Sequence, residues 1–124
     1  MQYMLMFYDT AENQNPPADP VAAQAYFGAW GAYAGALAKS GVMRGGEKLD
    51  SPNAATTLRL RGGTRQVQDG PFADTKEHLG GYMLVEVPTL DDALAWAARA
   101  PTAATGAVEV RPVTPAPLRP SASA

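Results

Sequence analysis

"GGYMLVEVPTLDDALAWAARAP", residues 80–101, reads as a strand running into a helix, and the rest of the fold follows from it. Along the extended part, Met83, Val85 and Val87 fall on one face and Tyr82, Leu84 and Glu86 on the other. A segment largely apolar on both faces is expected at the centre of a sheet. Thr89 then stands as a helix N-cap with Asp92 in the capping-box position, and Pro101 follows the helix end. The spacing predicts Leu90, Leu94 and Ala97 on its inward face.

The same reading extends outward. Met1 to Tyr8 is apolar at odd positions (Tyr3, Leu5, Phe7) and even ones (Met4, Met6, Tyr8), so it too predicts a strand buried on both faces. "DTAENQNPPADP", residues 9–20, reads as a loop that ends on Asp19-Pro20, an N-cap followed by proline at the first helical position. From Val21 to Ser40 the residues Tyr26, Trp30, Tyr33 and Leu37 form one helical stripe. Gly28, Gly31 and Gly35 each cost about 1 kcal/mol in a helix interior, which points to close backbone approach or to room left for a ligand. Gly41 supplies the stop.

A strand over Val42 to Leu49 is followed by "TTLRLRGGTRQVQ", residues 56–68, two alternating segments joined by Gly62-Gly63 in the manner of a hairpin. Leu58 and Leu60 share one face, and Thr57, Arg59 and Arg61 the other. "GAVEVRP", residues 106–112, closes the domain with Val108 and Val110 opposed to Glu109 and Arg111. The order is β-α-β-β-β-α-β, an α+β split βαβ plan with an inserted hairpin strand, an antiparallel sheet and both helices on one face. Residues 1–112 form the domain, and 113–124, rich in proline, serine and alanine, are expected as a disordered tail.

Two helices cover one sheet face only. The other is half apolar, which predicts a homodimer formed through it. With Thr57, Arg59, Arg61, Glu86, Glu109 and Arg111 lining that face, the dimer would enclose a cavity of the mixed character usual for small-molecule sites.

Composition narrows the chemistry. With 124 residues and a net charge of −2, the chain makes one domain, and its scattered basic residues give no footprint for nucleic acid. Hydrophobic residues make up 46%, but so many are alanine that the core is thin and leans on a partner subunit. There is no cysteine and one histidine, which excludes disulfides, thiolate metal sites and cysteine nucleophiles and leaves neither a metal nor a cofactor expected. The apolar N-terminal run is too short for a signal peptide or a membrane span, so a cytoplasmic protein is expected.

The densest chemistry lies in "DGPFADTKEHLGG", residues 69–81. Asp69 to Phe72 suit a turn with an aromatic anchor, and Gly80-Gly81 an entry to the central strand. Asp69, Asp74 and Glu77 are candidate bases, His78 has the intrinsic pKa for proton transfer, and Lys76 could hold an anion. Solvated turn charges are the competing reading. Arg59, Glu109 and Arg111 read either as cross-strand ion pairs or as a carboxylate-binding set, with Phe72 and Trp30 as walls.

Residues 69–101, with "MQYMLMFYD" at the start and "VEVRP" near the end, resemble the DGPF-motif subgroup of the YCII-related family. The resemblance omits Thr10 to Asp19 and the tail. It implies a ferredoxin-like fold of the dimeric α/β-barrel superfamily, whose members include isomerases, dehalogenases and small monooxygenases; some DGPF proteins are linked to sigma factors. In better-studied relatives a histidine on the first helix, paired with an aspartate, is proposed as catalytic. Here Trp30 stands near that place, so the pair does not transfer.

Two functions are therefore expected. One is a site for a small acidic or aromatic molecule, with proton transfer of isomerase, lyase or cofactor-free oxidation type. The alternative is a non-enzymatic metabolite sensor or protein-interaction module, for example linked to sigma-factor regulation. Charged groups enclosed around a pocket of a few hundred Å³ would favour the enzyme.

Overall fold

The computed structural model describes residues 1–73 and 75–115. Its strands are β1 (Gln2–Thr10), β2 (Met43–Lys48), β3 (Thr56–Arg61), β4 (Thr64–Asp69), β5 (Glu77–Glu86) and β6 (Ala107–Pro112). The helices are α1 (Ala11–Gln14), α2 (Pro20–Ser40), α3 (Leu90–Ala98) and α4 (Thr102–Thr105). Four strands form an antiparallel sheet in the order β2-β5-β1-β6, which places the two doubly apolar segments at its centre. This is the ferredoxin-like split βαβ arrangement.

The helix boundaries follow from their caps. The Asp19 carboxylate accepts the Ala22 amide at 2.9 Å at the start of α2, and Gly41 ends it at φ 80°. Thr89 accepts the Asp92 amide at 3.2 Å and donates its hydroxyl back to Oδ2 of Asp92 at 2.8 Å. Each such cap replaces an N–H contact with water that the helix end would otherwise need.

Both long helices lie on the odd face of β1. Tyr3, Leu5 and Phe7 meet Tyr33 and Leu37 of α2, and Val85 and Val87 with Ala93, Ala97 and Ala100 complete the core. The aromatic residues meet edge to face: Phe7 and Trp30 at 5.2 Å and Phe7 and Tyr33 at 6.1 Å between ring centroids. Leu90 and Leu94 depart from the expected inward stripe and stand about half exposed. The contact side of α3 is Ala93 and Ala97, with Ala100 just past its end, because small side chains let the helix sit close to the sheet.

The hairpin also departs from expectation. β3 and β4 pair only with each other, as a separate two-stranded sheet joined through Gly62 (φ 59°) and Gly63 (φ 78°). One apolar face per strand does not suit insertion among strands buried on both sides. The segment read as a loop contains α1, whose N-cap Thr10 accepts the Asn13 amide at 3.3 Å. Past the expected boundary at 112, Val113 still donates its amide to the Gln2 carbonyl at 2.9 Å; residues 116–124 lie outside the described residues.

The glycines of α2 play no packing part. A Cβ at Gly28, Gly31 or Gly35 would meet nothing within 4 Å, and all three are exposed, so close backbone approach is not their role.

Candidate functional site

A cavity of about 290 Å³ opens between α2 and the sheet. Its walls are Phe7, Tyr26, Trp30, Met43 and Met83, with Phe27 at the mouth, 59% exposed. The aromatic stripe of α2 and the odd-numbered side chains of β1 and β5 create it together, since both point into the layer between helix and sheet.

Glycine is needed on the strand side of this space. A Cβ at Gly46 would lie 2.7 Å from the Tyr82 carbonyl oxygen, and one at Gly81 would lie 2.9 Å from that of Glu47. At Gly80 the obstacle is the Gln14 amide, whose Cδ would be 2.8 Å away. The double glycine of the motif thus lets β2 and α1 close against β5.

The Gln14 amide closes one end of the cavity. Its Nε2 donates to the Asp9 carbonyl at 2.9 Å and to the His78 carbonyl, while the Tyr26 hydroxyl donates to the Gln14 carbonyl at 2.7 Å. Burial raises the Tyr26 pKa, and the nearby Asp9 charge raises it further, so the hydroxyl stays a donor.

Beneath this end lies Asp9, 1% exposed. Oδ1 accepts the Thr10 amide at 2.8 Å and the Asn13 side chain at 3.1 Å, and Oδ2 accepts the Thr105 hydroxyl at 2.5 Å. Three donors satisfy a carboxylate that has no cation partner among the described residues. Gly106 makes room for it, because a Cβ there would fall 2.9 Å from the Asp9 Cγ. Sequence reasoning missed Asp9: an acid at a strand end followed by polar residues carries the signal of a solvated turn.

The predicted site residues divide between places. Trp30 lines the cavity. Phe72 and His78 line a broader groove of about 720 Å³ between the hairpin base and the sheet, together with Tyr8, Leu49 and Leu79. Phe72 is 79% exposed and lies under the Arg59 guanidinium at 5.2 Å from the ring centroid. Asp69 ends β4 and is exposed, as is Lys76 before β5; Asp74 lies outside the described residues. Glu109 and Arg111 form an ion pair with each other on β6. Glu86, Glu109 and Arg111 share the uncovered sheet face by register, whereas Thr57, Arg59 and Arg61 belong to the hairpin.

Two cavity residues, Glu47 and Lys48, are charged, and both are exposed. The lining has no histidine, and no cluster of three or more metal-ligating side chains occurs among the described residues. No described helix is long and apolar enough to cross a membrane.

The profile of the YCII-related domain matches residues 1–117. "Uncharacterized protein R00369" of Rhizobium meliloti (strain 1021) is 46% identical over 68 residues, 53% of this chain and 55% of that protein. The chain thus spans about half the length of that curated relative in the match. Among solved structures, the 5-chloro-2-hydroxyhydroquinone dehydrochlorinase TftG of Burkholderia phenoliruptrix AC1100, in complex with 2,5-dihydroxybenzoquinone, is similar at 16% identity. That similarity covers 92% of this chain and 94% of TftG with a TM-score of 0.49.

Proposed function

The chain belongs to the YCII-related family, and from that premise we propose that it binds a small aromatic molecule in the cavity between α2 and the sheet. The supporting observation is the cavity itself: aromatic and thioether walls on four elements, enclosing a volume suited to one substituted ring. The Asn13 and Gln14 amides at one end and Lys48 at the edge give polar substituents a place to bond. This location differs from the sheet face, where the sequence alone puts the ligand.

The reading is of binding rather than proton transfer. Glu47 is the lining's one carboxylate, it is exposed, and it pairs in register with Tyr82 on the opposite sheet face. Asp9 is sealed and held by three donors, which suits a fixed structural anion. The charges at the cavity are therefore open to water, the arrangement expected of a sensor or carrier more than of a general base.

The second part of the proposal is a homodimer through the uncovered sheet face, in the manner of the dimeric α/β barrels of the DGPF subgroup. Met4, Tyr82 and Leu84, each half-buried, stand together there by register around Met6, which is 8% exposed. Contiguous apolar area of that kind is ordinarily covered.

The test is a thermal-shift screen against aromatic acids, phenols and lactones. A ligand at 100 times its Kd adds about 2.7 kcal/mol of stability. A rise in Tm with an aromatic probe supports the reading; a screen in which no aromatic probe moves Tm overturns it.

A further inference from the structure

We infer that the Thr102 hydroxyl selects the ligand of the cavity beneath α2, and that this ligand is an aromatic ring bearing an uncharged hydroxyl, a phenol and not an aromatic carboxylate. The inference rests on the cavity reading above and names its ligand class.

Thr102 borders the cavity from α4 and is 7% exposed. Its hydroxyl has no hydrogen-bond partner among the described residues. It does not serve the helix either, since α4 starts at Pro101 without a side-chain cap. Folding gains nothing from such a group: a buried, unpaired hydroxyl costs free energy that a valine of the same shape would not. A partner that arrives with the ligand accounts for it. Threonine on helical backbone populates two χ1 wells, so the hydroxyl can turn to the cavity without moving the main chain.

The other polar groups of the lining decide which substituent fits. Gln14 spends its amide hydrogens on the Asp9 and His78 carbonyls, which leaves its oxygen to accept. A threonine hydroxyl both donates and accepts, as does a phenol, so the two bond in either sense. A carboxylate would find no buried cation, because Lys48, the lining's cation, is exposed. Burial and, after it, the Asp9 charge raise the Tyr26 pKa, so this wall already lies in a negative field that repels a second anion. Burying an unpaired charge there is costly, whereas a ring hydroxyl needs only a hydrogen-bond partner.

Isothermal titration calorimetry at neutral pH compares three probes of similar shape, 4-ethylphenol, 4-ethylanisole and 4-ethylbenzoate. They are titrated into the wild type, Thr102→Val and Thr102→Ser, each confirmed as folded by circular dichroism. The wild type is expected to bind the phenol about tenfold more tightly than the other two, and Thr102→Val to lose about tenfold for the phenol alone, while Thr102→Ser keeps the preference. Equal losses for all three probes, or no loss for any, mark a structural threonine and overturn the inference. Tightest binding of the benzoate by the wild type overturns the ligand class; the cavity reading survives each of these results. Should none of the three bind, the inference falls, and the cavity reading falls with it where the wider aromatic screen is blank as well. If Thr102→Val does not fold, Thr102→Ala takes its place: selective loss of the phenol supports the inference, and unchanged binding overturns it.

Discussion

The Thr105 hydroxyl donates to Oδ2 of Asp9 at 2.5 Å, tying the last turn before β6 to the end of β1 across most of the chain. Three residues earlier on α4, the Thr102 hydroxyl is buried with no hydrogen-bond partner. Two threonines on one short helix thus stand in opposite states. Thr105→Val removes a donor from a buried carboxylate and is expected to cost about 2 kcal/mol. Thr102→Val replaces an unsatisfied hydroxyl with a methyl and is expected to be neutral or to stabilise by up to about 1 kcal/mol. Urea midpoints of the two variants read the difference directly; equal losses would contradict it.

Gly106 and Gly80 differ in what a side chain would strike. A Cβ at Gly106 would lie 2.1 Å from the Tyr8 carbonyl oxygen, which is backbone and cannot step aside. At Gly80 it would meet the Gln14 side chain, which can. Gly106→Ala is therefore expected to destabilise by about 3 kcal/mol or more and Gly80→Ala by about 1 kcal/mol, as Gln14 gives up its bonds. Thermal unfolding in parallel checks the order.

The strands, the two long helices and their caps were legible because periodicity and capping are local. Asp19, Gly41 and Thr89 announce themselves through residue type and place alone. On α3 the stripe holds at Ala97 but not at Leu90 and Leu94: leucine outweighs alanine in any hydrophobic stripe, and only the sheet's proximity selects Ala93 in their place. The separation of the hairpin was equally hidden, since alternation says which face is apolar and not which sheet a strand joins. The cavity needed α2, β1, β2 and β5 at once, and Asp9 needed α4, so neither could emerge from one segment.

Tyr33 supplies a pH test. Burial pushes its pKa from the ordinary 10 up to about 12, with Arg99 acting in the opposite direction, and its hydroxyl donates to the Trp96 carbonyl at 3.0 Å. Below pH 10 the phenol is neutral in both folded and unfolded chains, and its contribution is fully present. Between pH 10 and about 12 only the unfolded chain ionises, so stability falls through that window, by on the order of 2 kcal/mol. Tyr33→Phe is expected to be less stable at neutral pH by about 1 kcal/mol and to lose less on alkaline titration. Urea unfolding at pH 9 and 11.5 separates the two; identical alkaline losses would remove Tyr33 as the cause.

Ala34 lines the cavity from α2, and a larger side chain there fills the space a ligand would take. Ala34→Phe is expected to abolish the thermal shift of any aromatic probe that binds the wild type. Retention of the full shift would place the probe elsewhere.

The five methionines make the central claim directly readable, because Met43 and Met83 line the cavity while Met4 and Met6 stand on the uncovered sheet face. The protein labelled with methyl-13C methionine is titrated with the aromatic probe giving the largest thermal shift, its NMR signals assigned by single Met→Leu variants. Binding beneath α2 predicts that the Met43 and Met83 signals move and that of Met4 does not. Movement of Met4 and Met6 with Met43 and Met83 unchanged would put the ligand on the sheet face and contradict the account.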